Sequence, residues 1–217
     1  NITGTLNILQ AAKELNLNRI IHTSTSEVYG TAKYVPIDEK HPLVGQSPYS
    51  ASKIAADQLV NSFYSSFDLP VVILRPFNTY GPRQSARAVI PTIILQALKD
   101  KKILKLGSIT PTRDFSYIDD TVTGFISVLN SNLGLGDTFN LGSGFEVSIK
   151  KTAEIIYSFL GSELKITSDD ERIRPKNSEV ERLCSKNSKV KKVFSWKPKH
   201  NSLDGFKIGI KKTINWF

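Results

Sequence analysis

The stretch Tyr49-Ser50-Ala51-Ser52-Lys53 opens a helical run over about 47–66, and its reading decides the fold. Side chains four apart on a helix stand one above the other, so Tyr49 and Lys53 can act on one ligand atom. An ammonium beside a phenol favours the phenolate, which suits the pair to acid/base chemistry. Upstream, Arg19-Ile20-Ile21-His22-Thr23-Ser24-Thr25 reads as a strand over 19–25 that runs out into Thr25-Ser26-Glu27. Downstream, Pro70-Val71-Val72-Ile73-Leu74-Arg75 reads as a second buried strand, over 70–75. Strand, hydroxyl-rich strand end, loop, helix and strand make one βαβ passage, whose ligand belongs at the C-terminal edge of a parallel sheet. A second Tyr-x-x-x-Lys match, Tyr29 to Lys33, crosses Gly30 and ends at a turn, so it is read as chance.

Working outward, a helix is expected over 3–17 and a loop, marked by Pro36, Pro42 and Gly45, over 31–46. A helix over about 87–99, a strand over 103–106, a helix capped by Asp119 and ending near 130, and a strand over 138–141 follow. A helix over about 148–160, a short strand over 164–167 and two basic amphipathic helices complete the chain. Strands alternating with helices argue for an α/β fold with a doubly wound parallel sheet. The character changes after Gly81-Pro82, so residues 1–80 are expected to form part of a first α/β domain and 81–217 mainly a small C-terminal α/β lobe, with about 108–142 partly returning to the first.

Hydrophobic residues make up 40% and charged residues 23% of the 217, as in a soluble globular protein. No apolar run is long enough to span a membrane, and no basic-then-apolar leader opens the chain. One cysteine, Cys184, can form neither an internal disulfide nor a metal cluster, which fits a reducing cytoplasm. His22, His41 and His200 have no ligand spacing, so no metal site is expected. The net charge of +9 permits an anionic partner. The tail lysines alternate with Val190, Val193, Phe194 and Trp196, however, and no nucleic-acid-binding signature accompanies them. Neither a nucleic-acid nor a membrane partner is expected.

Five stretches in order carry a resemblance: Thr23-Ser24-Thr25-Ser26-Glu27-Val28-Tyr29-Gly30, Ser47-Pro48-Tyr49-Ser50-Ala51-Ser52-Lys53, Arg75-Pro76-Phe77-Asn78-Thr79-Tyr80-Gly81-Pro82-Arg83, Arg113-Asp114-Phe115-Ser116-Tyr117-Ile118-Asp119-Asp120 and Phe139-Asn140-Leu141-Gly142. Together they resemble the extended short-chain dehydrogenases/reductases of the NAD-dependent epimerase/dehydratase family. That resemblance implies a Rossmann-like sheet. The strand, Gly-rich turn and helix that open the family pattern have no counterpart here, so its N-terminal part is expected to be missing. Gly142-Ser143-Gly144 lacks a third glycine and comes too late, and is read as a turn on the substrate side.

The resemblance also assigns roles. Tyr49 would take the proton of a sugar C4 hydroxyl as hydride passes to NAD, Lys53 would hold the nicotinamide ribose, and Thr25 would bond the same C4 oxygen. Asn1 and Phe77 match positions that touch NAD. Asn78, Arg113, Asn140 and Arg174 match positions that hold the nucleotide diphosphate, and Arg87 is a further candidate. Glu27 is the base of dehydratases, because a C4 ketone acidifies the C5 proton. Ser26 stands where dehydratases of the dTDP-glucose type carry an acid, leaving open whether Glu27 passes its own proton to the leaving hydroxyl. The expected activity is a nucleotide-sugar 4,6-dehydratase acting on a UDP- or GDP-N-acetylglucosamine, similar to that of the legionaminic-acid pathway of polysaccharide biosynthesis. A UDP-glucuronate decarboxylase, a 4-epimerase, and an inactive piece lacking the cofactor fingerprint stand as alternatives. The family further implies a homodimer formed through the helices over 3–17 and 47–66.

Overall fold

The computed structural model describes residues 1–99, 103–161, 165–169 and 180–217. In chain order the elements are α1 (Ile2–Glu14), β1 (Ile20–Thr23), α2 (Pro48–Phe67), β2 (Val71–Pro76), β3 (Asn78–Tyr80), α3 (Val89–Lys99), β4 (Ile103–Leu106), β5 (Thr112–Tyr117) and α4 (Ile118–Leu129). There follow β6 (Thr138–Leu141), β7 (Glu146–Ser148), α5 (Ile149–Phe159), β8 (Lys165–Ser168), β9 (Arg182–Leu183), α6 (Ser188–Phe194) and α7 (Leu203–Ile214).

Strands β1, β2 and β6 form a parallel sheet with β2 in the middle. The Val-Val-Ile-Leu run of β2 explains that position, because both of its faces are covered. Val71 and Ile73 pack with Leu9, Ala12, Val60 and Phe63 of α1 and α2. Val72 and Leu74 pack on the other face with Val128, Phe139, Leu141, Val190 and Trp196. Helices on both faces of a parallel sheet make this a Rossmann-like α/β fold. A second core gathers Ile90, Ile93, Ile94, Leu104, Phe115, Ile156, Phe206 and Ile210 from α3, β4, β5, α5 and α7.

Several boundaries differ from the sequence reading. Helix α1 stops at Glu14 because Asn16 takes a left-handed backbone, φ 49°, and Leu15 and Leu17 remain exposed. Strand β1 ends two residues early because Thr25 turns out to cap the next element. Helix α4 is preceded by Tyr117, so Asp119 lies inside its first turn, where a carboxylate still complements the helix dipole. The last short strand begins at Lys165, and Leu164, where it was expected to start, lies outside the described residues. The chain is not parallel throughout, since β7 runs antiparallel to β5 while β3 and β9 run parallel to it. The sequence reading contained none of β3, β5, β7 and β9.

Candidate active site

The C-terminal ends of β1 and β2 open onto one region, and the chain leaves each in a shape set by local chemistry. At β1, the Thr25 hydroxyl accepts from the Glu27 N–H at 3.2 Å and starts a single 3-10 turn, Ser26–Tyr29. Gly30 ends that turn at φ 62°, where a Cβ would fall 2.5 Å from Gln46 Oε1. The turn sets Glu27 on the wall of a cleft of about 430 Å³. That volume lies within the range of small-molecule sites, about 300–1,000 Å³.

Asn78, Arg87 and Arg113 line the same cleft, so the structure brings four of the sequence candidates together. Arg113 is nearly buried on β5, and its Nη1 donates to the Thr112 carbonyl at 2.9 Å. Arg87 is exposed just before α3. Two buried side-chain oxygens of this wall, Asn78 Oδ1 and Gln84 Oε1, have no hydrogen-bond partner among the described residues. Gln84 Nε2 is already committed to the Thr79 carbonyl at 2.7 Å, so its oxygen is left as an acceptor. One carboxylate and two guanidiniums on this wall suit a ligand that carries phosphates and hydroxyl donors.

Tyr49 and Lys53 stand apart from this cleft wall, at the start of α2. Ser47 caps α2 through a reciprocal pair of bonds with Ser50, and Pro48 occupies its first turn. That cap fixes the turn carrying Tyr49, whose ring is 51% exposed and therefore open to a ligand. Lys53 Nζ donates to the Thr23 carbonyl at 2.6 Å, which brings the ammonium to the end of β1. Burial lowers the Lys53 pKa from its ordinary value, and the charge of Asp57 opposes that fall. Asn1 Nδ2 donates to Ser52 Oγ at 2.9 Å, joining the start of α1 to the same turn of α2.

Other candidates sit elsewhere. Ser26 is buried at 2% exposure and Thr25 is engaged as a cap; neither lines the cleft. Phe77 is buried among Val28, Tyr29 and Ile37. Asn140 does not line the cleft: it is fully buried and both ends of its amide are used inside the protein. Its Oδ1 accepts from the Tyr29 hydroxyl at 2.7 Å, and its Nδ2 donates to the Ile37 carbonyl at 3.0 Å. Arg174 lies outside the described residues. The Gly142-Ser143-Gly144 turn does not line the cleft either. It is held by Asp114, which accepts from the Ser143 and Gly144 N–H groups at 2.8 and 2.9 Å.

Tyr29, the phenol of the discounted motif, is fully buried between Asn140 and Arg75, and burial pushes its pKa up to about 12. His22 lies on β1. It is only partly buried, and lies 3.3 Å from Asp57. Sequence reasoning missed Asp57 and Gln84. Asp57, one turn beyond Lys53, could have been found from the same four-residue spacing.

Comparison with known proteins shows a family and a shared fold. The family model described as GDP-mannose 4,6 dehydratase matches residues 1–208. Human dTDP-D-glucose 4,6-dehydratase is 35% identical over the whole chain, which spans 61% of that relative's length. Among solved structures, a dTDP-glucose 4,6-dehydratase from Bacillus anthracis in complex with NAD superposes with a TM-score of 0.87 at 29% identity, covering 99% of this chain and 66% of that one. A UDP-glucuronic acid 4-epimerase from Bacillus cereus, in complex with UDP-glucuronic acid and NAD, gives 0.89 at 28% identity with the same coverage. With a model match over nearly its whole length, a Rossmann-like sheet and a Tyr-x-x-x-Lys helix at the sheet edge, this chain belongs to the GDP-mannose 4,6 dehydratase family.

Proposed function

We propose that this chain forms the catalytic and substrate-binding part of an NAD-dependent nucleotide-sugar 4,6-dehydratase. The observation that carries the reading is Glu27, a carboxylate in the cleft with Arg87 and Arg113, one turn from the strand end that receives Lys53. NAD, when bound, would supply the redox chemistry that oxidises C4 and reduces C6. Tyr49 accepts the C4 hydroxyl proton, and Lys53 holds the phenolate and the ribose. Glu27 then removes the C5 proton made acidic by the C4 ketone, and the proton taken up by Tyr49 is balanced by the one that C5 regains once the water has left. Burial of Ser26 favours Glu27 as the group that hands this proton to the departing C6 hydroxyl. Arg113 and Arg87 hold the diphosphate, an arrangement suited to bidentate guanidinium bonding.

The substrate that this reading carries forward from the resemblance is a UDP- or GDP-linked N-acetylglucosamine. Membership of a soluble cytoplasmic pathway of polysaccharide biosynthesis, and a homodimer through the exposed Ile8, Leu15 and Phe67 of the α1–α2 face, belong to the same reading. Likeness to the UDP-glucuronic acid 4-epimerase favours a second reading, epimerisation without loss of water. Mass analysis of products from candidate nucleotide sugars with NAD decides between them. Loss of water supports the dehydratase, unchanged mass the epimerase, and loss of carbon dioxide a decarboxylase. Calorimetric titration of residues 1–217 with NAD tests whether this stretch holds the cofactor unaided, and absence of binding would favour an inactive piece.

A further inference from the structure

Helix α2 carries a third functional type on the Tyr49–Lys53 face. Asp57 lies four residues beyond Lys53 and is fully buried. A bare carboxylate there would be costly, yet four groups from two strands close on it. Its Oδ2 accepts from Ser24 Oγ at 2.9 Å, from Arg75 Nε at 3.2 Å and from Arg75 Nη2 at 2.9 Å. Its Oδ1 lies 3.3 Å from His22 Nε2. His22 and Ser24 flank Thr23, whose carbonyl receives the Lys53 ammonium. The charged and titratable groups facing the cluster are His22 from β1, Arg75 from β2, Lys53 from α2 and Tyr29 from the 3-10 turn, with Glu39 acting on Tyr29.

The geometry points to Asp57 as a positioning residue for the Tyr49–Lys53 pair: clamped by Ser24 and Arg75, with His22 beside it, its carboxylate latches α2 to the end of β1 and keeps the Lys53 ammonium on Thr23. The Asp57 charge favours the Lys53 ammonium, against the larger opposing effect of burial. This inference rests on the reading of Tyr49 and Lys53 as the acid/base pair, but the latch itself requires neither cofactor nor substrate. Its test can therefore fail separately from that reading.

The test is competitive acetylation of lysines in residues 1–217 across pH, with Lys53 read by mass spectrometry. In Asp57→Asn the Lys53 reaction midpoint is expected to fall by about one pH unit, raising labelling near pH 7 roughly tenfold, as a charge one helical turn away would impose. Asp57→Glu, which restores the charge, is expected to recover most of the shift. If Asp57→Asn does not fold, Ser24→Ala decides. It removes one clamp bond and leaves the charge, and Lys53 labelling is expected to rise at least about twofold as the latch loosens. Folded Asp57→Asn with an unchanged Lys53 midpoint overturns the inference. So does an unfolded Asp57→Asn together with unchanged labelling in Ser24→Ala, since a purely structural carboxylate would lower stability without reaching Lys53. Loss of the latch in these variants, beside a Tyr49→Phe enzyme that still turns over, would sink the catalytic reading and leave the latch standing.

Discussion

Replacing Asp114 by asparagine tests how firmly the floor behind the cleft is held. Asp114 is fully buried on β5 and takes five hydrogen bonds. Its Oδ1 accepts from the Ser143 N–H at 2.8 Å and the Ser143 hydroxyl at 2.5 Å. Its Oδ2 accepts from the Gly144 N–H at 2.9 Å, the Ser185 N–H at 3.0 Å and the Ser185 hydroxyl at 2.5 Å. An amide keeps one acceptor oxygen. The less costly rotamer gives it to Gly144 and Ser185, leaving the NH2 group against the Ser143 N–H. One orphaned buried donor costs about 1–3 kcal/mol. Two backbone bonds changed from a charged to a neutral acceptor lose about 1 kcal/mol each.

Against this, burial pushes the Asp114 carboxyl above its ordinary pKa, although its five donors pull it back, so removing the charge returns part of the loss. The net expectation is a destabilisation of about 2–4 kcal/mol, a large share of the 5–15 kcal/mol typical of a folded chain. Urea unfolding of the two proteins at neutral pH measures it, as a lower midpoint with an unchanged slope. A difference under about 1 kcal/mol would refute the reasoning, because a site with spare donors or a hidden water would then replace the five-bond clamp.

Substituting Glu27→Gln in a preparation that turns over should leave reduction of NAD at C4 nearly intact. Formation of the dehydrated product should drop by about 10²–10⁴-fold, the usual worth of a general base; an unchanged rate of water loss would remove Glu27 from the chemistry. Burial pushes Asp57 up, but the nearby His22, the bond from Ser24 and the charge and bonds of Arg75 together hold its carboxyl below the ordinary value. Its contribution is therefore whole above the unfolded value of about 4 and is lost as pH falls further. Urea midpoints from pH 6 to pH 3 should fall more steeply for the native chain than for Asp57→Asn, and parallel curves would contradict this. Gly136 has φ 74°, and a Cβ there would meet the Tyr64 ring at 2.2 Å. Gly136→Ala should cost about 1–3 kcal/mol, or several degrees of melting temperature, even with Tyr64 swung into solvent. An unshifted melt would show the turn to be more pliant than its backbone implies.

The parallel sheet was legible because β2 is apolar at every position from Val71 to Leu74, and because α2 begins with an unmistakable motif. The β5 strand was not legible. Thr-Arg-Asp-Phe-Ser-Tyr reads as polar, yet all but Thr112 are buried, since Asp114 finds its donors on Ser143 and Ser185, 29 and 71 residues away. No local pattern can announce a carboxylate whose partners are that distant. The cleft residues Glu27, Asn78, Arg87 and Arg113 were named from sequence and do share a wall. The burial of Asn140 was not legible: a motif match carries residue type and order, while its bonds to Tyr29 and Ile37 come from segments about a hundred residues away.

The tail of the chain has a thermal consequence. Val190 and Trp196 belong to the packing around β2 and β6, whereas Phe206 and Ile210, a few turns later, fill the second core. Between them the Asp120 carboxylate, on α4, accepts from the Lys199 and His200 N–H groups at 2.9 and 2.8 Å. One segment is thus sewn into both halves, and neither half can melt without tearing the seam. Heated in a calorimeter, the chain should give one endotherm whose van't Hoff and calorimetric enthalpies agree.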